Sequence, residues 1–452
     1  MRRRYDEQLP LTPTASEHAR GAELMMMSAT LDANPTVLDG VHADLLARFG
    51  APDPKLGRTG MTAEQVLRAA LVKQMFKLSY EDLSFRLEDS IHVRAFARLS
   101  AGESTPKRST LQSNIAALRP ETWESVNQVL MLYAKTEKVE DGSWMRTDTT
   151  VVESNIHHPL DSSLLWDSVR VLTRIMKKAN EEFGTTRSNF ARRAKRRGIA
   201  ILNARTMELR VPLYKDLLKV THKTVHAAER ACVELDKIGS LAAFARAEEL
   251  RHFLPLVAKV VAQTERRVLN GESVPVADKI VSIFEPHTDI IRKDRRDTYY
   301  GHKVTLSTGR SGLVLDVVVE EGNPADSTLA VGAVERHAAL FGSAPERAAF
   351  DGGFASKDNF AKLKKGGTSE VCFSKPAGVP VKEMTTTSRI RRTLKRFRAG
   401  IEAGISFLKR SFGWTRATWS GMVGFRSYVW ASTVAHNLLV LARALLARAQ
   451  PT

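Results

Sequence analysis

The sequence predicts an α/β protein in which a long helical insertion interrupts a mixed sheet and an all-helical region precedes that sheet. Apolar residues recur at helical spacing from residue 62 to residue 135. A short run rich in Thr and Val follows, then a second long helical stretch over 163–270. From residue 280 to residue 412, strand-like and helix-like segments alternate, as is typical of α/β folds.

The composition fits a folded protein that meets a polyanion. The chain has 452 residues, enough for two or three domains, and its 43% hydrophobic and 26% charged content is ordinary for a globular protein. Sixty-eight Lys and Arg residues against 50 Asp and Glu residues leave a net charge of +18. This balance is typical of nucleic-acid-binding proteins, although by itself it does not require a nucleic acid.

The number of cysteines and the apolar segments indicate in which cellular compartment the protein works. Cys232 and Cys372 are the only cysteines, which excludes a disulfide framework and a thiolate zinc cluster and favours the reducing cytoplasm. No apolar stretch follows the arginines at the N-terminus, so no signal peptide is expected. The apolar segment around 428–449 is interrupted by polar residues and predicts a packed amphipathic helix. We therefore expect a cytoplasmic, nucleoid-associated protein with no membrane partner.

The N-terminal region, residues 1–140, is predicted to be helical. Its first 60 or so residues contain five prolines and give no clear helical pattern. Five helices are expected after that point, with Ser109 and Pro120 among the start signals. They are Thr62–Leu78, Ser79–Leu87, Ser90–Arg98, Ser109–Leu118 and Glu121–Lys135.

The order of the later elements predicts the fold of the rest of the chain. A strand over Gly142–Val152 precedes the helical insertion, Ser163–Asn270. The segments after the insertion are three strands, Ile280–Phe284, Tyr300–Leu306 and Leu313–Val319, then helix Ser327–Phe341, strand Arg347–Phe350, helix Lys357–Lys364, strand Val371–Ser374 and the basic helix Ile390–Phe412. Apart from the insertion and one extra strand, this is the order of an RNase H-like (retroviral integrase-like) domain. We place that domain at 141–412, with C-terminal helices (413–452) packed on it.

Two aspartates lie in or directly after predicted strands, where aspartate is uncommon. Asp148 lies inside the first predicted strand, and strand interiors disfavour Asp. Asp351 follows a short apolar strand and precedes Gly352-Gly353, at the strand end where α/β sheets bind ligands. Each residue alone could be a strand-end or helix-capping Asp. The element order favours a catalytic pair.

Glu402 is the single acidic residue from Met384 to Thr452, a segment with twelve Lys and Arg residues. Arg398 precedes it by four residues and Lys409 follows it by seven, so one helix would carry all three on one face. A surface ion pair between Glu402 and Arg398 is the alternative. Two Asp and one Glu could together hold two Mg²⁺ ions, which prefer oxygen ligands and, at about 3.5–4 Å separation, catalyse displacement at phosphorus.

These residues resemble the motifs of the DDE transposases of bacterial insertion sequences, and the resemblance covers most of the chain. The segments 146–156 and 158–162 resemble the first-aspartate motif, 300–304 the next strand, and Asp351-Gly352-Gly353-Phe354 the second-aspartate turn. Arg398, Glu402 and Lys409 match the Tyr, Arg, Glu and Lys signature of the last catalytic helix, with Lys395 in place of its Tyr. The run 435–438 also resembles the C-terminal helices of this branch.

The resemblance implies a site and its partners. Asp148, Asp351 and Glu402 would be the catalytic metal ligands, for two Mg²⁺ ions or Mn²⁺, while Arg398, Lys409 and Lys395 would bind DNA. The implied reaction is cleavage at the ends of the element, followed by transfer of the 3′-hydroxyl to target DNA by a dimer or higher oligomer. A regulator that binds DNA without cutting, and an RNase H-like nuclease without strand transfer, remain alternatives.

Two further regions are candidates for DNA binding. The N-terminal helices resemble the region that reads terminal inverted repeats, and a bundle used only for dimerisation is the alternative. A basic run in the insertion is either a phosphate track or a solvated face, and we favour the phosphate track. Its cations are Arg192, Arg193, Lys195, Arg196 and Arg197.

Overall fold

The computed structural model describes residues 4, 18–49, 60–100, 102–293 and 297–449. The chain divides into two compact units. The first contains the residues up to 154 and those from 301 onward, and the second contains residues 155–300.

The N-terminal part of the first unit is helical, as predicted. Side-chain caps at Thr62, Ser79 and Ser90 start three of its helices, and Thr62 forms a capping box with Gln65. An ordered core is expected from the sequence only after about residue 60, but two helices that contribute buried residues lie before it, on either side of Pro35. Residues 1–3, 5–17 and 50–59 lie outside the described residues. The helices are α1 (Ala19–Asp32), α2 (Val37–Phe49), α3 (Ala63–Met75), α4 (Tyr80–Asp89), α5 (Ile91–Phe96), α6 (Arg108–Ile115) and α7 (Pro120–Thr136).

A mixed sheet of six strands forms the centre of the fold. The strands are β1 (Trp144–Glu153), β2 (Asp289–Lys293), β3 (Asp297–Thr308), β4 (Val314–Val319), β5 (Arg347–Phe350) and β6 (Glu370–Phe373). Their order is β2-β3-β1-β5-β6, with β4 also paired to β3. β3 is antiparallel to β1 and β4, whereas β1, β5 and β6 are mutually parallel. Helices α12 (Ala330–Phe341) and α13 (Lys357–Lys365) make the crossovers.

One predicted strand, Ile280–Phe284, is wrong. The side-chain amide of Gln263 pairs with the backbone there, accepting from Ile280 N at 2.9 Å and donating to Ile280 O at 3.2 Å. Ile280 and Ile283 are apolar because they pack into the core of the helical insertion. The extra strand of this region is β2, which begins nine residues later.

The insertion is a helical unit with its own core, as its periodicity predicts. It consists of α8 (Asp161–Phe183), α9 (Ala191–Asn203), α10 (Met207–Ile238) and α11 (Leu241–Thr264). Apolar residues of α8, α10 and α11 make up most of this core. The insertion follows β1 in the chain. Because it buries its own apolar surface, its packing does not depend on pairing with a strand.

The predicted basic helix Ile390–Phe412 is two helices. After the short α14 (Val381–Met384), α15 covers Ser388–Ala399 and α16 covers Ile401–Phe412, with Gly400 between them. A Cβ atom on Gly400 would collide with the guanidinium of Arg146, which donates to Phe397 O at 2.5 Å. A side chain at residue 400 would therefore displace the guanidinium of Arg146 from this position.

The long C-terminal helix, α17 (Gly421–Ala449), is a core element of the first unit. It is the one helix among the described residues that is long and apolar enough to cross a membrane, but 67% of its most apolar window is buried inside the protein. It packs against α1, α3 and α7 and also contacts α16 and β4. Its apolar composition is thus explained by contacts within the protein.

Two buried histidines predict sensitivity to acid. Burial lowers the pKa of His337 on α12 and of His436 on α17 to about 4. Because unfolding restores a pKa near 6.5, the unfolded chain binds more protons below that pH, and stability is lost as the pH falls from about 6.5 to about 4. We expect each histidine to remove about 2–3 kcal/mol of stability at pH 4.5 relative to pH 7.5.

Urea unfolding of the native chain and of His337→Gln at the two pH values measures this effect. The Gln side chain can still donate to Gly142 O, the partner of His337 Nε2 at 2.8 Å. The substitution should therefore reduce the stability difference between the two pH values, whereas replacement of the exposed His226 by Gln should leave it unchanged. An unaltered difference in His337→Gln would contradict the assignment.

Candidate active site

The register of the parallel strands brings Asp148 and Asp351 together. Thr147 on β1 pairs with Phe350 on β5, so the next residues are Asp148 and Asp351. Phe350 in turn pairs with Phe373 on β6, which Ser374 follows. Asp148, Asp351 and Ser374 thus form a row across three parallel strands, and the Ser374 hydroxyl donates to Asp351 Oδ1 at 2.8 Å.

The surroundings of Asp351 favour its ionised form. Its partial burial would raise the pKa of the carboxyl, but hydrogen bonds from the Ser374 hydroxyl and the Gly352 N–H lower it, as do the charges of Arg398 and Lys375. The lowering effects prevail, and the pKa of Asp351 lies below its ordinary value. At neutral pH this group is a carboxylate that can bind a cation.

Glu402 approaches the two aspartates from α16. It lies in the first turn of that helix, where the positive end of the helix dipole stabilises a carboxylate. The Glu402 side chain is 68% exposed, and its Oε1 lies 3.3 Å from Nη1 of Arg398. The prediction that Arg398, Glu402 and Lys409 share one helix is wrong, because Arg398 belongs to α15 and the other two to α16. Arg398 and Glu402 nevertheless form the predicted contact between residues four apart, across Gly400.

The guanidinium of Arg398 contacts all three carboxylates. Its Nη2 lies 2.9 Å from Asp351 Oδ1 and 3.5 Å from Asp148 Oδ2. The two carboxyl oxygens are therefore no more than about 6.4 Å apart, the sum of those two distances. Within the part of the chain that the structure describes, no group of three or more Asp, Glu, His or Cys side chains is spaced to hold a metal ion. The guanidinium of Arg398 places a positive charge among these carboxylates.

Two other predicted DNA-binding residues lie on α15 and α16. Lys395 is exposed on α15, and its charge acts on the buried thiol of Cys372. Lys409 is half-buried on α16, where it lines a groove with residues of α3, α4 and α6. Arg398 is the predicted cation whose guanidinium is seen against all three acids.

The basic run of the insertion lies on α9, and part of its charge is already paired. Arg193 and Arg197 both bind Asp216 of α10, Arg197 at 2.5 Å. Lys195 lies over the ring of Trp166. Arg192 and Arg196 are exposed. The phosphate-track prediction for this run stays a prediction, and it is carried chiefly by the latter two residues.

Several polar residues beside the aspartates were not foreseen from sequence. Asp326 accepts a hydrogen bond from Thr149 Oγ1 at 3.2 Å and pairs with Lys303 Nζ at 2.5 Å. A Cβ on Gly353 would lie 2.8 Å from Asp326 Oδ2, so this acid stands against the turn after Asp351. The sequence contains one indication of these residues: Lys303 belongs to the segment 300–304, which resembles a strand of the transposase family.

Comparison with known protein families adds two matches. Residues 280–438 match the family described as transposase DDE domain, and residues 25–116 match the one described as transposase domain (DUF772). The first match contains Asp351, Arg398, Glu402 and Lys409, whereas Asp148 precedes it. No curated protein matches the chain, and no solved structure matches it.

Proposed function

Because this chain is a DDE transposase of the insertion-sequence type, we propose that it cleaves the ends of its element and joins the freed 3′-hydroxyl to target DNA. Asp148, Asp351 and Glu402 are the catalytic carboxylates of this proposal. The observation that carries it is the convergence of all three on the guanidinium of Arg398. The strand order β4-β3-β1-β5-β6 supports an RNase H-like catalytic domain.

The family generally uses divalent metal ions, and the carboxylate donors are of the type that such ions prefer. With Arg398 between them, however, the described carboxylates do not have the spacing of a metal site. Three carboxylates offer the oxygen ligands that Mg²⁺ and Mn²⁺ prefer, and the depressed pKa of Asp351 keeps that ligand ionised. A bound pair of such ions would activate the attacking oxygen and stabilise the leaving oxygen at phosphorus. In that state Arg398 would be released from the carboxylates and could neutralise a phosphate of the DNA.

The test uses labelled duplexes of the inverted repeats that flank the reading frame. With Mg²⁺ the protein should nick the repeat to leave a 3′-hydroxyl, and pre-cut ends should join a supercoiled plasmid. Chelation of the metal should stop both steps. Binding without nicking in either Mg²⁺ or Mn²⁺ would identify a regulator and overturn the proposal. Nicking without joining would identify a nuclease that only hydrolyses.

Arg398 provides a separate prediction. Replacing it with Gln removes the positive charge between the carboxylates, and we expect cleavage to fall by about 10²–10³-fold, the usual effect of losing one group that stabilises developing charge. Arg398→Lys should retain part of the rate, because it keeps the charge but not the planar fork. Single-turnover cleavage at saturating DNA gives the rates. Arg392→Gln, an exposed change on the same helix, is the control, and an equal loss in that variant would contradict a specific role.

A further inference from the structure

A groove of about 770 Å³ lies beside the candidate active site, between the N-terminal helices and the segment that joins α16 to α17. Five cations and one acid line it. They are Lys73, Lys77, Arg108, Lys409, Arg416 and Glu81. We call this feature the basic groove. One of its cations, Lys409, lies two helical turns after Glu402 on α16, so their backbone positions are about 10 Å apart along that helix.

The positive charge of the basic groove is only partly neutralised within the protein. Arg416 pairs with Glu153 at 3.1 Å. The ammonium of Lys73 donates to Leu78 O at 2.7 Å and lies over the ring of Tyr80. Among the residues that the structure covers, neither Lys73 nor Arg108 has a carboxylate within ion-pair distance. The groove therefore attracts an anion.

Donors that lack an acceptor also line the basic groove. The side-chain amide nitrogen of Gln74 and the indole nitrogen of Trp419 are buried, and neither has a hydrogen-bond partner among the described residues. Buried donors of this kind are normally paired, so two of them in one groove indicate that a bound ligand supplies the acceptors. At the start of α6, Arg108 follows an N-cap residue, Lys107, that makes no side-chain cap, and the first turn contains no acid. That helix end adds unpaired N–H groups and a positive dipole.

We propose that the basic groove binds the phosphodiester backbone of the DNA strand that leads away from the scissile phosphate. This inference rests on the proposed function, in that it takes DNA to be the substrate. The separation of about 10 Å between Glu402 and Lys409 corresponds to about three nucleotides at 3.4 Å per nucleotide. The N-terminal helices thereby contribute directly to positioning the strand, with Arg108 as a positioning residue.

The salt dependence of DNA binding tests the charge contact. For a fluorescein-labelled duplex, Arg108→Gln should reduce the slope of log K against log salt by about 0.9, as expected for one lost phosphate contact. Arg108→Lys should restore the slope because it keeps the charge. Arg48→Gln, an exposed change on α2 outside the groove, should not alter it. A slope that is unchanged in Arg108→Gln would overturn the proposal.

Cross-linking tests the place. Both native cysteines are buried, so Gln112→Cys introduces one accessible thiol in the groove, to which a photoactivatable aryl azide can be attached. Without divalent ions, this protein should cross-link to DNA on one side of the cleavage position, and Ser343→Cys, at an exposed position, should not. Native protein that cuts DNA while Gln112→Cys gives no cross-link would defeat this inference alone. Cross-linking at the groove by a protein that never cuts would defeat the proposed function alone.

Discussion

Asp351→Asn is expected to abolish metal-dependent cleavage, with a loss of roughly a thousandfold or more, beyond the 10²–10³-fold effect of a single electrostatic donor. The carboxylate contributes the negative charge that a divalent ion needs, whereas the amide offers one neutral oxygen. The fold should tolerate the change, because Oδ1 of Asn can still accept from the Ser374 hydroxyl as Asp351 does at 2.8 Å. Asp148→Asn and Glu402→Gln should behave alike, since all three carboxylates converge on Arg398.

The measurement is single-turnover nicking of a labelled repeat, with duplex binding and thermal unfolding recorded for each variant. Binding should persist within a few-fold, because the proposed DNA contacts are made by Arg and Lys residues. Asp358→Asn is the matched control, an exposed acid on α13 paired with Lys362 at 2.7 Å. Retained cleavage by Asp351→Asn, or an equal loss in the control, would refute the assignment of the catalytic carboxylates.

Sequence reasoning predicted the part of this site that local pattern determines. A short apolar strand that ends in Asp and then Gly-Gly predicts the place of Asp351, and β5 has the predicted bounds, Arg347–Phe350. An Asp within a Thr and Val run likewise marks Asp148. Pattern could not supply the register that sets Thr147 against Phe350 and Phe350 against Phe373. Ser374 therefore went unnoticed, because its role depends on strand pairing between distant segments.

The errors have physical causes of the same kind. Ile280–Phe284 has the apolar pattern of a strand, yet its backbone pairs with the side chain of Gln263. The basic segment after residue 388 has continuous helical periodicity, yet it forms two helices that meet at Gly400, against which the guanidinium of Arg146 lies. Asp326 gave no signal because its place beside the site depends on Lys303 and Thr149. In each case a contact from a distant residue overrides local preference.

Asn437→Leu is expected to destabilise the protein by roughly 3 kcal/mol or more, because it leaves several buried polar groups unpaired. Asn437 is fully buried on α17. Its side-chain amide pairs with the backbone of β4, as the backbone of a neighbouring strand would. Its Oδ1 accepts from Val314 N at 2.8 Å, and its Nδ2 donates to Val314 O at 2.7 Å. The same Nδ2 donates to Asn127 Oδ1 on α7 at 2.6 Å. One amide thus ties three elements of the core together.

Urea unfolding of Asn437→Leu, Asn127→Leu and the double variant separates the polar network from packing alone. Since the two side chains share one hydrogen bond, the double variant should lose clearly less stability than the two single losses combined. Val423→Ala, a change at an exposed position of α17, should have little effect. Additive losses would show that the two amides act independently. His436 of α17 packs against Phe407 and Phe412 of α16, the helix that carries Glu402. Loss of the network around Asn437 should therefore also affect α16. Cleavage by Asn437→Leu should recover at temperatures where the variant remains folded.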